Sequence, residues 1–465
     1  MARILWALLI FQAVYNAEGF FHQYPKLNLG ECDGGNPGPP LFLTPYVENG
    51  KIEEGRRLAR VPLTESLRIK SYAGFFTVNK SYDSNQFFWY FPAIAPDNRN
   101  APVIVWLQGG PGASSLFGLF KENGPIRVRR DKLERREYNW ALGHHIIYID
   151  NPVGAGFSFT NDSRGYCTDE TQVGEQLYTT LIQFFQLFPE LQQNKFFVTG
   201  ESYGGKYLPA LAYTIHKKNP TAKLKINLKG IAIGNGLSDP AQQLEYGKYL
   251  YQIGLIDWNG AKIFEEYENK TKNLIEQEKW EDAYDTLGSM LIDGDSVFKK
   301  LTGFNLFYNF LHTKDYTQDE DFGPMLQKTA VRKMIHVGNL TFNNGANVFK
   351  NLKQDMMKSI TPWITELLDH YYVLTYNGQL DIIVAYPFTV NYLRKLNFTG
   401  ADEYKTAKRY IWEVDGVVAG YVKRAGRLIE ILVRDAGHMV PTDQPKRALD
   451  LITRFTHEKS FDGPN

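Results

Sequence analysis

The sequence predicts an α/β fold, in which a doubly wound, mostly parallel central sheet carries an inserted helical cap. Three observations lead there. Near-continuous apolar runs at 103–107, 144–149, 195–199 and 230–233 end in turn residues, the pattern of strands buried on both faces. Between them lie stretches such as 171–188, whose apolar residues recur every three or four positions, so strands alternate with helices. From about 240 to 331 the alternation breaks. There Ile263, Phe264, Tyr267, Leu274 and Ile275 mark helical stripes among dense charges, before strand patterns resume at 371–376 and 428–433.

The chain has 465 residues, enough for one large domain over 20–465 with an insertion at approximately 240–331. Residues 1–19 carry Arg3, an apolar run and small residues at Ala17 and Gly19, which reads as a secretory signal peptide too short to span a bilayer. Residues 20–67, rich in glycine and proline, read as an extended arm with little regular structure. An edge hairpin follows at 71–78 and 87–91, and a last helix at 446–455 closes the domain.

Lys+Arg total 52 against 51 for Asp+Glu, and no basic run interleaves with aromatics, so nucleic acid is excluded as a partner. No later segment is apolar over a bilayer's thickness, so membrane insertion is not expected. Sequons at Asn79, Asn161, Asn269, Asn339 and Asn397 agree with the leader in pointing to glycosylation in the secretory pathway, with a secreted or lysosomal and vesicular destination. Two cysteines, Cys32 and Cys167, are too few for a disulfide framework; they either pair with each other or remain as thiols. Neither cysteine spacing nor histidine spacing offers a metal site, and no cofactor is expected.

The chemistry centres on 195–210, KFFVTGESYGGKYLPA. A short strand, a tight turn at Gly200 to Gly204 and a helix start make the setting of a nucleophile elbow with Ser202 at its tip. Gly200 and Gly204 leave room for strand and helix to approach. A serine hydroxyl needs a neutral imidazole to take its proton, and the imidazole needs a carboxylate to hold its tautomer. Asp381 and His438 lie just past the strands at 371–376 and 428–433, where such sheets place their chemistry. The order Ser202, Asp381, His438 is that of an α/β-hydrolase. WLQGGPG at 106–112 ends a buried strand in bare backbone, so the N–H of Gly110, with that of Tyr203, is the candidate oxyanion hole.

The blocks PVIVWLQGGPGASSLFGLFKENGP, DNPVGAGFSF, FFVTGESYGGKYLPA, GIAIGNGLSDP, NGQLDIIVAYP and DAGHMVPTDQP resemble the serine carboxypeptidases, most of all their vitellogenic branch, from about residue 70 to the C-terminus. The resemblance implies removal of single residues from peptide or protein C-termini through an acyl-enzyme on Ser202, favoured at acid pH. It assigns Ser202, Asp381 and His438 as the triad and Gly110 and Tyr203 as oxyanion donors. Gln108, Gly109, Glu201 and Glu122 would bind the substrate's terminal carboxylate, and Met439 would line the leaving-residue pocket. Two acidic groups in contact cannot both ionise cheaply, so Glu122 and Glu201 should share a proton, donate a hydrogen bond in acid and repel the substrate as pH rises. The chain departs from the family in carrying Gln108 where asparagine is usual, Ala113 and Val384 where cysteines are common, and few of the family's disulfides. Two rival readings keep the fold: an acyltransferase that delivers the acyl group to an alcohol, and a non-catalytic binding or protective protein. Retention of Gln108, Glu201 and Glu122 favours peptide substrates. A homodimer is compatible with the sequence.

Overall fold

The structure, a computed structural model, describes residues 27, 29, 33–95, 98–314 and 321–461. The signal peptide at 1–19 and Cys32 lie outside the described residues; Cys167 is buried.

Runs of β-branched and aromatic residues with both faces covered build the sheet. Its main strands are β1 (Tyr72–Asn79), β2 (Ser84–Phe91), β3 (Val103–Leu107), β4 (His145–Ile149), β5 (Phe196–Glu201), β6 (Leu228–Gly234), β7 (Tyr372–Gly378), β8 (Arg409–Val414), β9 (Val417–Ala425) and β10 (Leu428–Val433). The spatial order is β1-β2-β4-β3-β5-β6-β7-β10-β9-β8, and Phe159–Thr160 adds a short strand beside β2 to make eleven. The central strands from β4 through β10 run parallel. An antiparallel hairpin flanks each side. Every residue of β3, β4, β5 and β10 is buried, as a parallel sheet covered on both faces requires.

The central strands start and end within two residues of their predicted limits, and so do helices α1 (Glu170–Leu187) and α6 (Pro445–Thr456); α2 (Gly204–Lys218) opens within two residues of the predicted helix start. His144 and His145, at the start of β4, are structural. His144 bonds to Trp140 O and Thr456 Oγ1, and His145 to Tyr90 OH and Asn98 O.

The structure differs from the sequence reading in three places. The arm at 20–67 is extended only before Thr44; helices Thr44–Glu48 and Ile52–Ala59 and a 3-10 turn at Pro62–Leu67 follow. Pro45 opens the first helix, and Glu53 and Glu54 face Arg56 and Arg57 across the second, complementing its dipole. The hairpin β8–β9 is an element the sequence reading did not include. Its signal was an Asp415-Gly416 turn, both residues at positive φ, between alternating apolar residues. Helical structure between β6 and β7 also runs past 331: after α3 (Trp258–Glu276) and α4 (Trp280–Leu287) it continues to α5 (Thr361–Leu368).

The helical segment between β6 and β7 is fastened to α2. Lys206, in the first turn of that helix and fully buried, donates to the backbone oxygen of Asp355 and to its Oδ2 at 3.2 Å. Burial opposes the Lys206 charge, and the Asp355 carboxylate offsets it. Asp355→Ala removes the carboxylate bonded to the ammonium and leaves Glu170 as its remaining acidic neighbour, so denaturant unfolding should show a loss of up to about 3–5 kcal/mol, most of it recovered in Lys206→Met/Asp355→Leu. An unchanged midpoint in Asp355→Ala would remove this fastening from the account.

Candidate active site

Ser202 sits at φ 60°, in the left-handed region where a residue with a side chain is strained by about 1–3 kcal/mol. The sheet holds it there. Its N–H donates to Gly234 O at 3.0 Å, and its carbonyl accepts from Gly205 N and Leu237 N, each at 2.9 Å. A Cβ on Gly200 would collide with Leu107 O, and one on Gly205 would lie 2.7 Å from Leu237 N. At Gly204 the nearest approach is 3.1 Å, so the tightest contacts fall at Gly200 and Gly205 and not at Gly204. The elbow therefore depends on backbone stripped of side chains on both flanks.

Asp381 and His438 follow β7 and β10, whose C-terminal ends pair directly at Gly378 and Val433. Asp381 Oδ2 lies 2.8 Å from His438 Nδ1, both side chains fully buried. The carboxylate also accepts from Asn235 Nδ2 at 2.7 Å, Ile383 N at 2.9 Å and Val384 N at 3.3 Å. A carboxylate only accepts, so Nδ1 carries the ring proton and Nε2 is left as the acceptor. Nε2 is buried and makes no hydrogen bond, to Ser202 or to any other group among the described residues. In hydrolases without substrate this contact is commonly long and tightens in the Michaelis complex.

Asn235 joins the two halves of the site. It follows Gly234, the acceptor for the Ser202 N–H; its own N–H donates to Tyr376 O at 2.8 Å, and its side chain reaches Asp381. The sequence reading missed this residue, which stands in the block GIAIGNGLSDP.

The loop after β3 lies against the elbow. A Cβ on Gly109 would stand 2.6 Å from Tyr203 N and 2.7 Å from Ser202 Cβ, so the two loops touch through bare backbone. Gly110 has φ 112°, open to glycine alone, and neither its N–H nor that of Tyr203 is spent on a backbone partner among the described residues. Asp150, also missed in sequence, anchors the far end of this loop. It accepts from Ser114 Oγ at 2.5 Å, Ser115 N at 3.0 Å and Phe157 N at 2.8 Å, and burial pushes its carboxyl up to about 7.

Gln108, Glu122 and Glu201 form one buried cluster. Trp106 Nε1 donates to Gln108 Oε1 at 2.8 Å, which turns the amide NH2 toward Glu201 Oε1 at 2.9 Å and Glu122 Oε1 at 3.1 Å. Both carboxyls thus accept a hydrogen bond from the same amide, and each acts on the other's ionisation. Burial raises both, Glu122 to about 7, and Glu201 is raised further by its neighbour's charge. The pair thus keeps a proton near neutrality. Met439 is buried directly after His438, at the start of the turn Val440–Asp443. Of the sequons, Asn161, Asn269, Asn339 and Asn397 are exposed, and Asn79 is half-buried at the end of β1.

The chain was compared with known proteins. The family model for serine carboxypeptidases (Peptidase_S10) matches residues 62–458. The chain is 57% identical over 457 residues to a venom serine carboxypeptidase of Apis mellifera, covering 96% of this chain and 97% of that one. It is 51% identical over 450 residues to a vitellogenic carboxypeptidase of Aedes aegypti, covering 94% and 95%. Among solved structures, Kex1(delta)p, a prohormone-processing carboxypeptidase from Saccharomyces cerevisiae, superimposes with a TM-score of 0.74 at 24% identity, over 87% of this chain and 96% of that one, a likeness of fold. The matched segment contains all the candidate catalytic and carboxylate-binding residues, and its extent establishes that the chain belongs to the serine carboxypeptidase family, serine-type exopeptidases that hydrolyse the C-terminal bond of peptides.

Proposed function

We propose that Ser202, His438 and Asp381 carry out this hydrolysis, and the observation that carries the assignment is the buried 2.8 Å contact between Asp381 and His438 beside a strained serine. Ser202 Oγ attacks the carbonyl carbon of the terminal peptide bond while His438 Nε2 takes its proton. Asp381 holds the ring in the Nδ1–H form and stabilises the imidazolium. The N–H groups of Gly110 and Tyr203 receive the oxyanion. His438 then returns the proton to the departing amino acid, and water reverses the sequence on the acyl-enzyme. The helical insertion serves as the cap over this site.

The cluster of Gln108, Glu122 and Glu201, with the Gly109 backbone, seats the substrate's terminal carboxylate, and Met439 borders the departing side chain. A protonated carboxyl donates to that carboxylate, whereas two ionised ones repel it. Burial raises both carboxyls, Glu122 to about 7 and Glu201 also by its neighbour's charge, so the pair is protonated in acid and starts to ionise as pH climbs through about 7. The leader at 1–19 and the five sequons route the product through the secretory pathway to secretion or to lysosomal vesicles. Among the described residues no helix is long and apolar enough to cross a membrane.

Three outcomes test this reading. A fluorophosphonate probe should label the wild type at acid pH and leave Ser202→Ala unlabelled, with turnover lowered roughly 10⁴-fold or more; an unlabelled wild type would favour a binding or protective role. For a blocked dipeptide, kcat/KM should fall above about pH 7 through a rising KM, and Glu122→Gln should flatten that limb; a steady rise from acid to pH 8 would contradict the shared proton. Enzymatic removal of N-glycans should lower the apparent mass of the secreted protein, and an unchanged mass would withdraw all five sequon assignments.

A further inference from the structure

The catalytic histidine is gripped by the insertion as well as by the sheet. Tyr308 belongs to the segment between Phe304 and Leu311, far from either His438 or Asp381 in the chain, and its ring is buried. That ring stacks on the imidazole of His438 with centroids 5.2 Å apart and planes 24° from parallel. The Tyr308 carbonyl also accepts the His438 N–H at 2.6 Å. Its neighbour Asn309 donates from Nδ2 to Asp443 Oδ2 at 3.1 Å, the same carboxylate oxygen that receives the Gly437 N–H at 2.6 Å. Phe307 O accepts from Ile382 N and Ile383 N, each at 3.2 Å, so the segment touches the aspartate loop too.

We propose that Tyr308 is a positioning residue for the base: its ring fixes the plane of the His438 imidazole and its π-face favours the imidazolium formed while Ser202 is deprotonated. The inference rests on the triad assignment above. An aromatic face attracts a cation through its quadrupole, and the attraction is largest where water is excluded. The ring is charged in the transition state and neutral in the resting enzyme, so the interaction is stronger in the former and acts on turnover. The carboxylates around the ring, Asp381 on Nδ1, Asp443 behind Gly437, and Glu122 and Glu201 in the adjoining cluster, are common to wild type and variants.

The test compares Tyr308→Phe, which keeps the ring, with Tyr308→Leu, which keeps the backbone bond to His438 N but removes the π-face. In the full-length enzyme, Tyr308→Phe should stay within about threefold of wild type. Because the imidazole must be neutral to take the Ser202 proton, activity also falls in acid; Tyr308→Leu should lose about 3- to 30-fold in kcat with KM unchanged, and this acid limb of its kcat/KM profile should move to lower pH by about half a unit or more. The pH shift separates this role from plain packing, which lowers activity without moving the limb. If Tyr308→Leu does not fold, Tyr308→Met carries the same expectation. A Leu or Met variant whose acid limb coincides with the wild type would overturn the proposal alone. Activity surviving in His438→Ala would overturn the triad assignment and this proposal with it.

Discussion

The distance between two strand ends is the constraint on which the site depends, and it is set by atoms that are missing. Gly200 near the end of β5 lies so close to Leu107 at the end of β3 that no Cβ fits, and Gly109 has the backbone of Tyr203 and the side chain of Ser202 where its own Cβ would be. Only this approach puts the bare loop after β3 against the serine. The same closeness forces Ser202 to φ 60°, and the conformation persists because the sheet over-determines it. Hydrogen bonds to Gly234, Gly205 and Leu237 hold the residue from both sides. Strain, candidate nucleophile and candidate oxyanion donors are therefore one arrangement.

The carboxyl cluster obeys a second constraint, the cost of burying charge. Glu122, Glu201 and Gln108 have no exposed surface, and two ionised carboxylates in such a place would be untenable without a cation. Holding a proton between them resolves the conflict. Which way Gln108 points is decided one layer out, by the indole N–H of Trp106. That indole in turn requires Gly118, where any Cβ would collide with the ring nitrogen. Gly118 opens the wide π-helical turn Gly118–Glu122 that delivers Glu122. The longer arm of glutamine, in place of the family's usual asparagine, is thus accommodated with both ends of its amide engaged.

Legibility in the sequence followed the range of the signal. Strands β3 and β10 were readable because burial on both faces leaves an unbroken apolar run. The hairpin β8–β9 was not, since Tyr410, Ile411 and Val417 are apolar yet exposed, and its alternation is blurred. Thr44 to Ala59 was overlooked because the glycines and prolines just before it dominate that region. Ser202, Asp381 and His438 announce themselves by position, each in a loop after a strand. Asn235 and Asp150 also directly follow strands, β6 and β4, but neither residue type stands out as a nucleophile, base or acid partner there, and Tyr308 lies in no such loop. Asn235 acts on a carboxylate 146 residues away, and only the pairing of β6 with β7 brings them together.

The manner in which the insertion is attached limits how it can move. Lys206 of the elbow helix is paired with Asp355, Gly112 of the oxyanion loop abuts Gly345 and Val348, and His438 rests on Tyr308. Each loop bearing a candidate catalytic group therefore has the sheet on one side and the insertion on the other. Lifting the insertion as a rigid lid would expose a buried ammonium without its counterion and remove the floor from the imidazole together. Lifting would therefore break a buried ion pair and a ring stack in the same step, contacts that any rigid-body motion has to replace. The anchors thus hold the candidate base, nucleophile and oxyanion donors in one register, which is what a reaction that needs all three together requires.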